Sequence, residues 1–167
     1  MKNLFRLIAL TVCLCFAFQS EAVAQQYKSA VGLRLGTPWA ASYKTFISES
    51  SAIEVYASYR GFSAWSWIGI NGAYQIHNDI NGADGLQWYY GAGAGAQFWS
   101  VGTGFGDGSG TLITIAGYLG LQYTFEDTPI SLTADWVPTF FIGDGFGAFN
   151  SFGAGYGNLG VRYVLGR

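Results

Sequence analysis

The sequence predicts an all-β fold, namely an eight-stranded antiparallel up-and-down transmembrane β-barrel. Half of its 167 residues are apolar and 18% are aromatic, but only 11% are charged, which is less than half the usual share in soluble globular proteins. Past residue 24, no apolar stretch reaches the length of about 20 residues that a membrane-spanning helix needs. Eight segments instead alternate between apolar and polar residues, and this period of two is typical of strands with one buried face.

The first 24 residues have the features of an export signal. Lys2 and Arg6 give a positive start, residues 7–18 form an apolar stretch, and residues 22–24 (Ala-Val-Ala) form a cleavage site. A membrane anchor would need a longer apolar run. We therefore expect export through the Sec pathway and cleavage after residue 24, with residues 25–167 forming one barrel domain. Both cysteines lie within the signal, so we expect a mature protein without thiols.

Glycine, asparagine, aspartate and proline separate the eight segments at spacings that suit hairpins rather than βαβ units. No helix is expected. In a barrel of the bacterial outer membrane, the apolar face of each strand contacts lipid and the other face points inward. The expected strands are residues 27–36, 41–48, 52–61, 65–76, 86–98, 111–125, 130–139 and 153–165.

The charged residues provide a test of this orientation. In four strands the apolar residues alone fix which face points outward, and all five charges of these strands then point inward; Lys44 on the second strand fits the same arrangement. The interior of an eight-stranded barrel is about wide enough for side chains alone. We therefore expect an ion-paired plug instead of an open pore, and a proton or ion path is the alternative. The predicted cluster consists of Arg34, Lys44, Glu54, Arg60, Asp135 and Arg162.

Aromatic residues concentrate at the strand ends, as the girdles at the two membrane surfaces require. In the fifth strand, residues 88–90 (Trp-Tyr-Tyr) lie at one end, with Phe98 and a second tryptophan at the other. At a rise of about 3.3 Å per residue and a tilt of about 40°, Trp88 and Phe98 are roughly 25 Å apart, which matches the apolar band. Between them, alternating inward glycines leave room for a bulky neighbour such as Trp67 or Tyr118. The predicted interface aromatics are Trp88, Tyr90, Phe98, Trp136 and Tyr163.

The C-terminal strand carries the most specific short pattern of the chain. Asn158, Gly160, Tyr163 and Leu165 resemble the β-signal by which the barrel-assembly machinery recognises its substrates. Leu165 stands where an aromatic residue is usual, and two residues follow the strand. The alternative is an ordinary edge strand with alternating residues.

Neither a catalytic nor a metal-binding site is expected. His77 is the only histidine, and we expect it to be solvated in a polar turn after the fourth strand, without the nucleophile and carboxylate that hydrolytic chemistry needs and with too few ligands for a metal. The glycine-rich residues 102–110 and 143–157 are interpreted as flexible surface loops, and no cofactor is implied. Removal of the signal leaves a mildly acidic chain, so nucleic acid is not expected as a partner.

Five short segments of the expected strands share a pattern of glycine and small residues with alternating apolar and polar residues: 30–36, 42–44, 90–94, 120–125 and 160–163. They resemble the OmpA/OmpX type of small transmembrane barrel, especially short outer-membrane proteins of Bacteroidetes-like bacteria. The resemblance implies that both termini lie in the periplasm, with periplasmic turns near residues 49, 79–85 and 126–129. The connections near residues 38, 62, 102–110 and 140–152 would face outside. The chain lacks a C-terminal peptidoglycan-binding domain, so we expect a stand-alone barrel.

Three classes of function are consistent with these features. We favour a non-enzymatic outer-membrane protein with a structural or surface-interaction role, whose loops 102–110 and 140–152 could contact an extracellular ligand. Its other expected partners are outer-membrane lipid and, during biogenesis, the barrel-assembly machinery. The alternatives are a membrane-embedded enzyme such as one that modifies lipid A, and a narrow channel or carrier for a small ligand.

Overall fold

The computed structural model describes residues 27–36, 38–62, 65–101, 108–143 and 151–166. Eight antiparallel strands form a closed barrel in which each strand pairs with the next and the last pairs with the first. The predicted all-β, eight-stranded antiparallel up-and-down barrel is therefore confirmed. The strands are β1 (Ser29–Leu35), β2 (Trp39–Phe46), β3 (Ser51–Phe62), β4 (Trp65–Asp79), β5 (Leu86–Val101), β6 (Gly108–Thr124), β7 (Ile130–Ile142) and β8 (Ser151–Gly166).

Within the described ranges, no helix is long and apolar enough to cross a membrane. The predicted cleavage site and the signal before it lie outside the described residues, and so do residues 102–107 and 144–150 of the two long loops.

Most strands are longer than the alternation of residues predicts. β4 continues to Asp79 because its ladder with β5 still pairs His77 with Tyr89 and Asp79 with Gln87. β5, β6 and β7 are likewise longer at the opposite end of the barrel, where glycine and polar residues obscure the alternation. Ladder hydrogen bonds depend on the backbone alone, so the sheet extends beyond the segments in which the side chains show a period of two.

The two faces of the wall differ sharply in chemistry. Large apolar side chains point outward in every strand, with exposed fractions that reach 72% at Trp39 and 61% at Leu159. The inward positions of the same strands carry polar and charged side chains, of which Lys44, Glu54 and Gln122 are fully buried. A soluble barrel has the reverse arrangement, because its apolar side chains fill the interior.

Three short turns lie at the end of the barrel where Tyr27 precedes β1. They consist of residues 47–50, 80–85 and 125–129. In the middle turn, Gly82 and Gly85 have φ angles of 82° and 81°, a left-handed conformation that glycine adopts without strain. A side chain at Gly85 would also lie 2.5 Å from the carbonyl oxygen of Thr124. The middle turn therefore requires glycine at position 85, both for its conformation and for its packing against β6.

Candidate functional site: the buried charge cluster

Five charged side chains converge inside the barrel. They come from five strands, and each is at least 93% buried. Such groups are costly to bury unless hydrogen bonds and opposite charges compensate them. The cluster consists of Arg34 (β1), Lys44 (β2), Glu54 (β3), Asp135 (β7) and Arg162 (β8).

Glu54 lies at the centre of this cluster. Its two carboxylate oxygens each accept a hydrogen bond of 3.1 Å from Arg34 Nη1. Arg162 Nη2 donates to Oε1, and Gln75 Nε2 donates to Oε2 at 2.9 Å. Two guanidinium groups and an amide therefore compensate the buried charge of Glu54, and charge-assisted hydrogen bonds of this kind are the strong ones.

Arg34 links Glu54 to the second carboxylate. Its Nη2 donates to both oxygens of Asp135, at 2.9 and 2.7 Å. Tyr89 Oη donates to the same carboxylate at 2.6 Å. The Arg34 guanidinium also lies 4.9 Å from the ring centroid of Tyr56. A single arginine thus connects β3 to β7 across the interior, and its planar fork suits this double role better than a lysine would.

Lys44 is held in a different way. Its Nζ donates to Gln122 Oε1 at 3.1 Å and lies 4.7 Å from the ring centroid of Tyr89. A second contact, with the ring of Phe46, is 5.7 Å long. The cluster therefore has three cations and two carboxylates, and the ammonium of Lys44 is stabilised by an amide oxygen and by aromatic faces.

Arg60, which was predicted to belong to this cluster, donates none of the hydrogen bonds to Glu54 and Asp135 described above, so its membership stays a prediction. It follows Glu54 by six residues on β3, which corresponds to about 20 Å along a strand, and its side chain is half-buried. Alternation along a strand specifies which side of the wall a residue faces. It does not specify the height of the residue within the barrel. Arg60 lies on the same inward face as Glu54 but nearer to the opposite end of β3.

Apolar side chains close the end of the barrel below Lys44. Tyr27 and Phe46 are buried together with Ala30, Ala52 and Val164, and the two rings meet edge to face at 5.1 Å. Tyr27 Oη donates to Gln122 Oε1 at 3.0 Å. Burial raises the pKa of Tyr27 to about 12, so its hydroxyl remains a neutral donor. Tyr27 precedes β1 and acts as a lid at this end.

His77 is not solvated, contrary to the sequence-based expectation. It is fully buried inside the barrel, with its ring stacked on Tyr89 at 4.8 Å and tilted against Phe46 at 4.9 Å. The expectation failed because β4 continues past His77, which turns a presumed turn residue into an inward strand residue. Within the described parts of the chain, no group of three or more histidine, cysteine or acidic residues could hold a metal ion.

The other half of the interior contains a small cavity whose wall has both polar and apolar residues. Its volume is about 60 Å³, and Arg34 contributes to its wall. Trp67 Nε1 donates to Gln97 Oε1 at 2.6 Å, and Gln97 Nε2 donates to Asn71 Oδ1 at 3.0 Å. A single water needs roughly 10–15 Å³, so this space suits a few waters and is too small for an organic substrate.

The predicted interface aromatics lie on the outer wall. Trp88, Phe98, Trp136 and Tyr163 are between 39% and 57% exposed, and the half-buried Tyr90 stacks on Trp88 at 5.5 Å. Tyr89 between them points inward, so it belongs to the interior and not to the girdle.

The residues of the predicted assembly signal alternate on β8. Tyr163 and Leu165 point outward and are 57% and 54% exposed, whereas Asn158 and Gly160 occupy the inward positions. A Cβ atom at Gly160 would lie 2.2 Å from Thr133 Oγ1, so this glycine is also required for packing. β8 pairs with both β7 and β1, so it is not an edge strand. Recognition by the assembly machinery stays a prediction.

Comparison with known proteins supports the fold. No protein-family model and no curated protein sequence matches the chain. Among solved structures, the chain is similar to Neisserial surface protein A, with 18% identity, a TM-score of 0.58 and coverage of 82% of this chain and 93% of that one. It is also similar to the N-terminal β-barrel domain of Pseudomonas aeruginosa OprF, with 15% identity, a TM-score of 0.61 and coverage of 81% and 93%.

Proposed function

We propose that the chain is an integral outer-membrane protein with a structural or surface-interaction role and without catalytic activity. The observation that carries this proposal is the polarity of the wall, which is apolar outside and charged inside. Exposure of so much apolar surface to water is unfavourable, whereas contact of the same surface with lipid is favourable. The similarity to two outer-membrane barrel structures is consistent with this location.

The packing of the interior favours a barrel that is filled by side chains over one that conducts ions. The cluster around Glu54 crosses the lumen from β1 to β7 and β8, and Tyr27 and Phe46 close the end below it. Ions would have to displace side chains that are already paired with each other. A channel therefore remains the less favoured alternative.

The position of His77 supports a role without catalysis. A lipid-modifying enzyme on a barrel must present its reactive groups to lipid at the outer surface, whereas His77 lies between Phe46 and Tyr89 in the closed interior. Lipid A from a strain that lacks this protein should match lipid A from the parent strain in mass spectrometry. A missing or additional acyl chain would favour the enzymatic alternative.

Location and biogenesis are also part of the proposal. We place the lid and the three short turns in the periplasm, with export through the Sec pathway and insertion by the barrel-assembly machinery. The long loops then face the outside, and residues 108–110, 140–143 and 151–152 are the parts of them that the structure describes. An extracellular ligand would contact these loops.

Membrane fractionation combined with heat-modifiable gel mobility tests the proposal. The full chain should sediment with the outer membrane, resist carbonate extraction and migrate faster before boiling than after it, because a closed barrel stays compact in detergent. A soluble protein with the same mobility in both samples would refute the membrane location.

A further inference from the structure

A groove of about 560 Å³ runs over the outer wall between β5 and β8. Its rims are large side chains that stand out from the wall: Leu121 is 48% exposed, Trp136 49% and Leu159 61%. The register pairs Ala134 with Leu121 on one side and with Leu159 on the other, and it pairs Gly157 with Trp136. Two small residues therefore form the floor between bulky neighbours.

Gly157 differs from the glycines that face the interior. A Cβ atom at Gly157 would meet nothing within 4 Å, whereas one at Gly120 would lie 2.7 Å from atoms of Asp135 and Tyr89. Interior packing therefore requires Gly120 but does not require Gly157. The space above Gly157 is the groove itself.

We propose that this groove binds one acyl chain of a membrane lipid. This inference rests on the proposed membrane location. The lining residues at outward positions of the wall are all apolar or glycine. The polar lining residues Asp135 and Asn158 belong to inward positions, and Asp135 is already bonded to Arg34 and Tyr89. The groove therefore recognises the hydrocarbon chain, and the lipid headgroup contributes little.

The size of the groove favours an acyl chain over a second copy of the protein. Ten residues line it, whereas a stable protein interface involves about 20–30 residues on each side. An open trough between protruding side chains accommodates a flexible chain more readily than the convex wall of another barrel.

Filling the groove provides the test. Gly157→Leu places a side chain in the open space of the floor, and Ala134→Leu does so from β7. Gly72→Leu is the matched control, since Gly72 occupies an outward position on β4 and its Cβ would also meet nothing within 4 Å. Native mass spectrometry of the full-length protein in detergent, with added dipalmitoyl phosphatidylethanolamine, would report the fraction that retains one lipid.

We expect the wild type and Gly72→Leu to retain one lipid, and the two groove variants to retain it at least about tenfold less. Dipalmitoyl phosphatidylglycerol should be retained equally well by the wild type, because the chain is the recognised part. Equal retention by all four proteins would overturn the proposal. So would a strict dependence on the headgroup, or a dimer that Gly157→Leu dissociates.

Failure of the groove and failure of the membrane location give different results. All four proteins are first checked for heat-modifiable mobility and for sedimentation with the outer membrane. If the wild type fails these checks, the proposed location is wrong and the groove proposal falls with it. If all four pass and lipid retention does not change, the groove proposal alone is wrong.

Discussion

At the scale of single residues, Asp135 illustrates the cost of a broken ion pair. In Asp135→Ala, Arg34 loses one of its two carboxylate partners and Tyr89 loses its acceptor. Removal of one member of a buried pair typically costs about 3–5 kcal/mol. The midpoint of urea-induced unfolding in lipid vesicles should therefore fall strongly. Asp127→Ala, in an exposed turn, is the control and should change stability by less than about 0.5 kcal/mol. An unchanged midpoint for Asp135→Ala would contradict the network.

Lys44 is predicted to behave in the opposite way. It is the third cation in a cluster with two carboxylates, and its polar partner is the oxygen of Gln122. Lys44→Met removes repulsion from the two arginines while the Tyr27 hydroxyl still donates to that oxygen. We expect the free energy of unfolding to stay constant or to rise, because the desolvation of a buried ammonium costs several kcal/mol and Lys44 has no carboxylate among its hydrogen-bond partners described above. Under the same urea titration, a loss as large as that of Asp135→Ala would show that Lys44 is an essential ion-pair member.

At the scale of the element, β5 shows why glycines alternate with alanines. A Cβ atom at Gly93 would lie 2.4 Å from the carbonyl oxygen of Gly72 and 3.1 Å from the Tyr118 ring. Gly93→Val should therefore destabilise the barrel by about 1–3 kcal/mol, as overpacking does. Ala94→Val, which points outward on the same strand, should be nearly neutral. Urea unfolding of the two variants measures the difference, and equal stabilities would mean that the interior has room at Gly93.

A second prediction about an element concerns β8 and separates assembly from packing. Tyr163 is 57% exposed on the outer wall, so Tyr163→Ala should fold into lipid vesicles without assistance. In cells, the same variant should accumulate unfolded if the machinery recognises this strand, and deletion of residues 163–167 should abolish assembly. Tyr123→Ala, an outward aromatic of β6 that is 39% exposed, is the control and should assemble normally. Normal insertion of the truncated chain would contradict the targeting role.

In β3 and β4, the sequence predicted which side of the wall each residue faces, but it did not predict the height of the residue within the barrel. Alternation placed Glu54 on the inward face because side chains change sides at every residue. The height of a residue depends on the strand stagger, which arises from pairing between distant segments. The sequence therefore did not specify the height of Arg60 relative to Glu54, and it did not show that His77 lies beside Tyr89. The groove around Gly157 also depends on registers that only the closed sheet specifies.

At the scale of the whole molecule, two barriers close the barrel one above the other. The first is the cluster in which Arg34 joins Glu54 to Asp135, and the second is the apolar lid of Tyr27 and Phe46. An ion that crosses must enter an apolar layer and compete with charges that are already paired, and both steps are unfavourable. A barrel with these two barriers should not conduct ions across the membrane in which we propose that it lies.

This closure predicts the behaviour of the purified protein in planar lipid bilayers. The wild type should produce no stepwise conductance at either polarity, while a large porin in the same apparatus verifies that single channels are detected. Glu54→Ala should remain closed as well, because Tyr27 is held by its ring contact with Phe46 and by Gln122, and not by Glu54. Reproducible conductance steps of the wild type, lost on heat denaturation, would show that the interior side chains move apart and would favour the channel alternative over a structural or surface-interaction role.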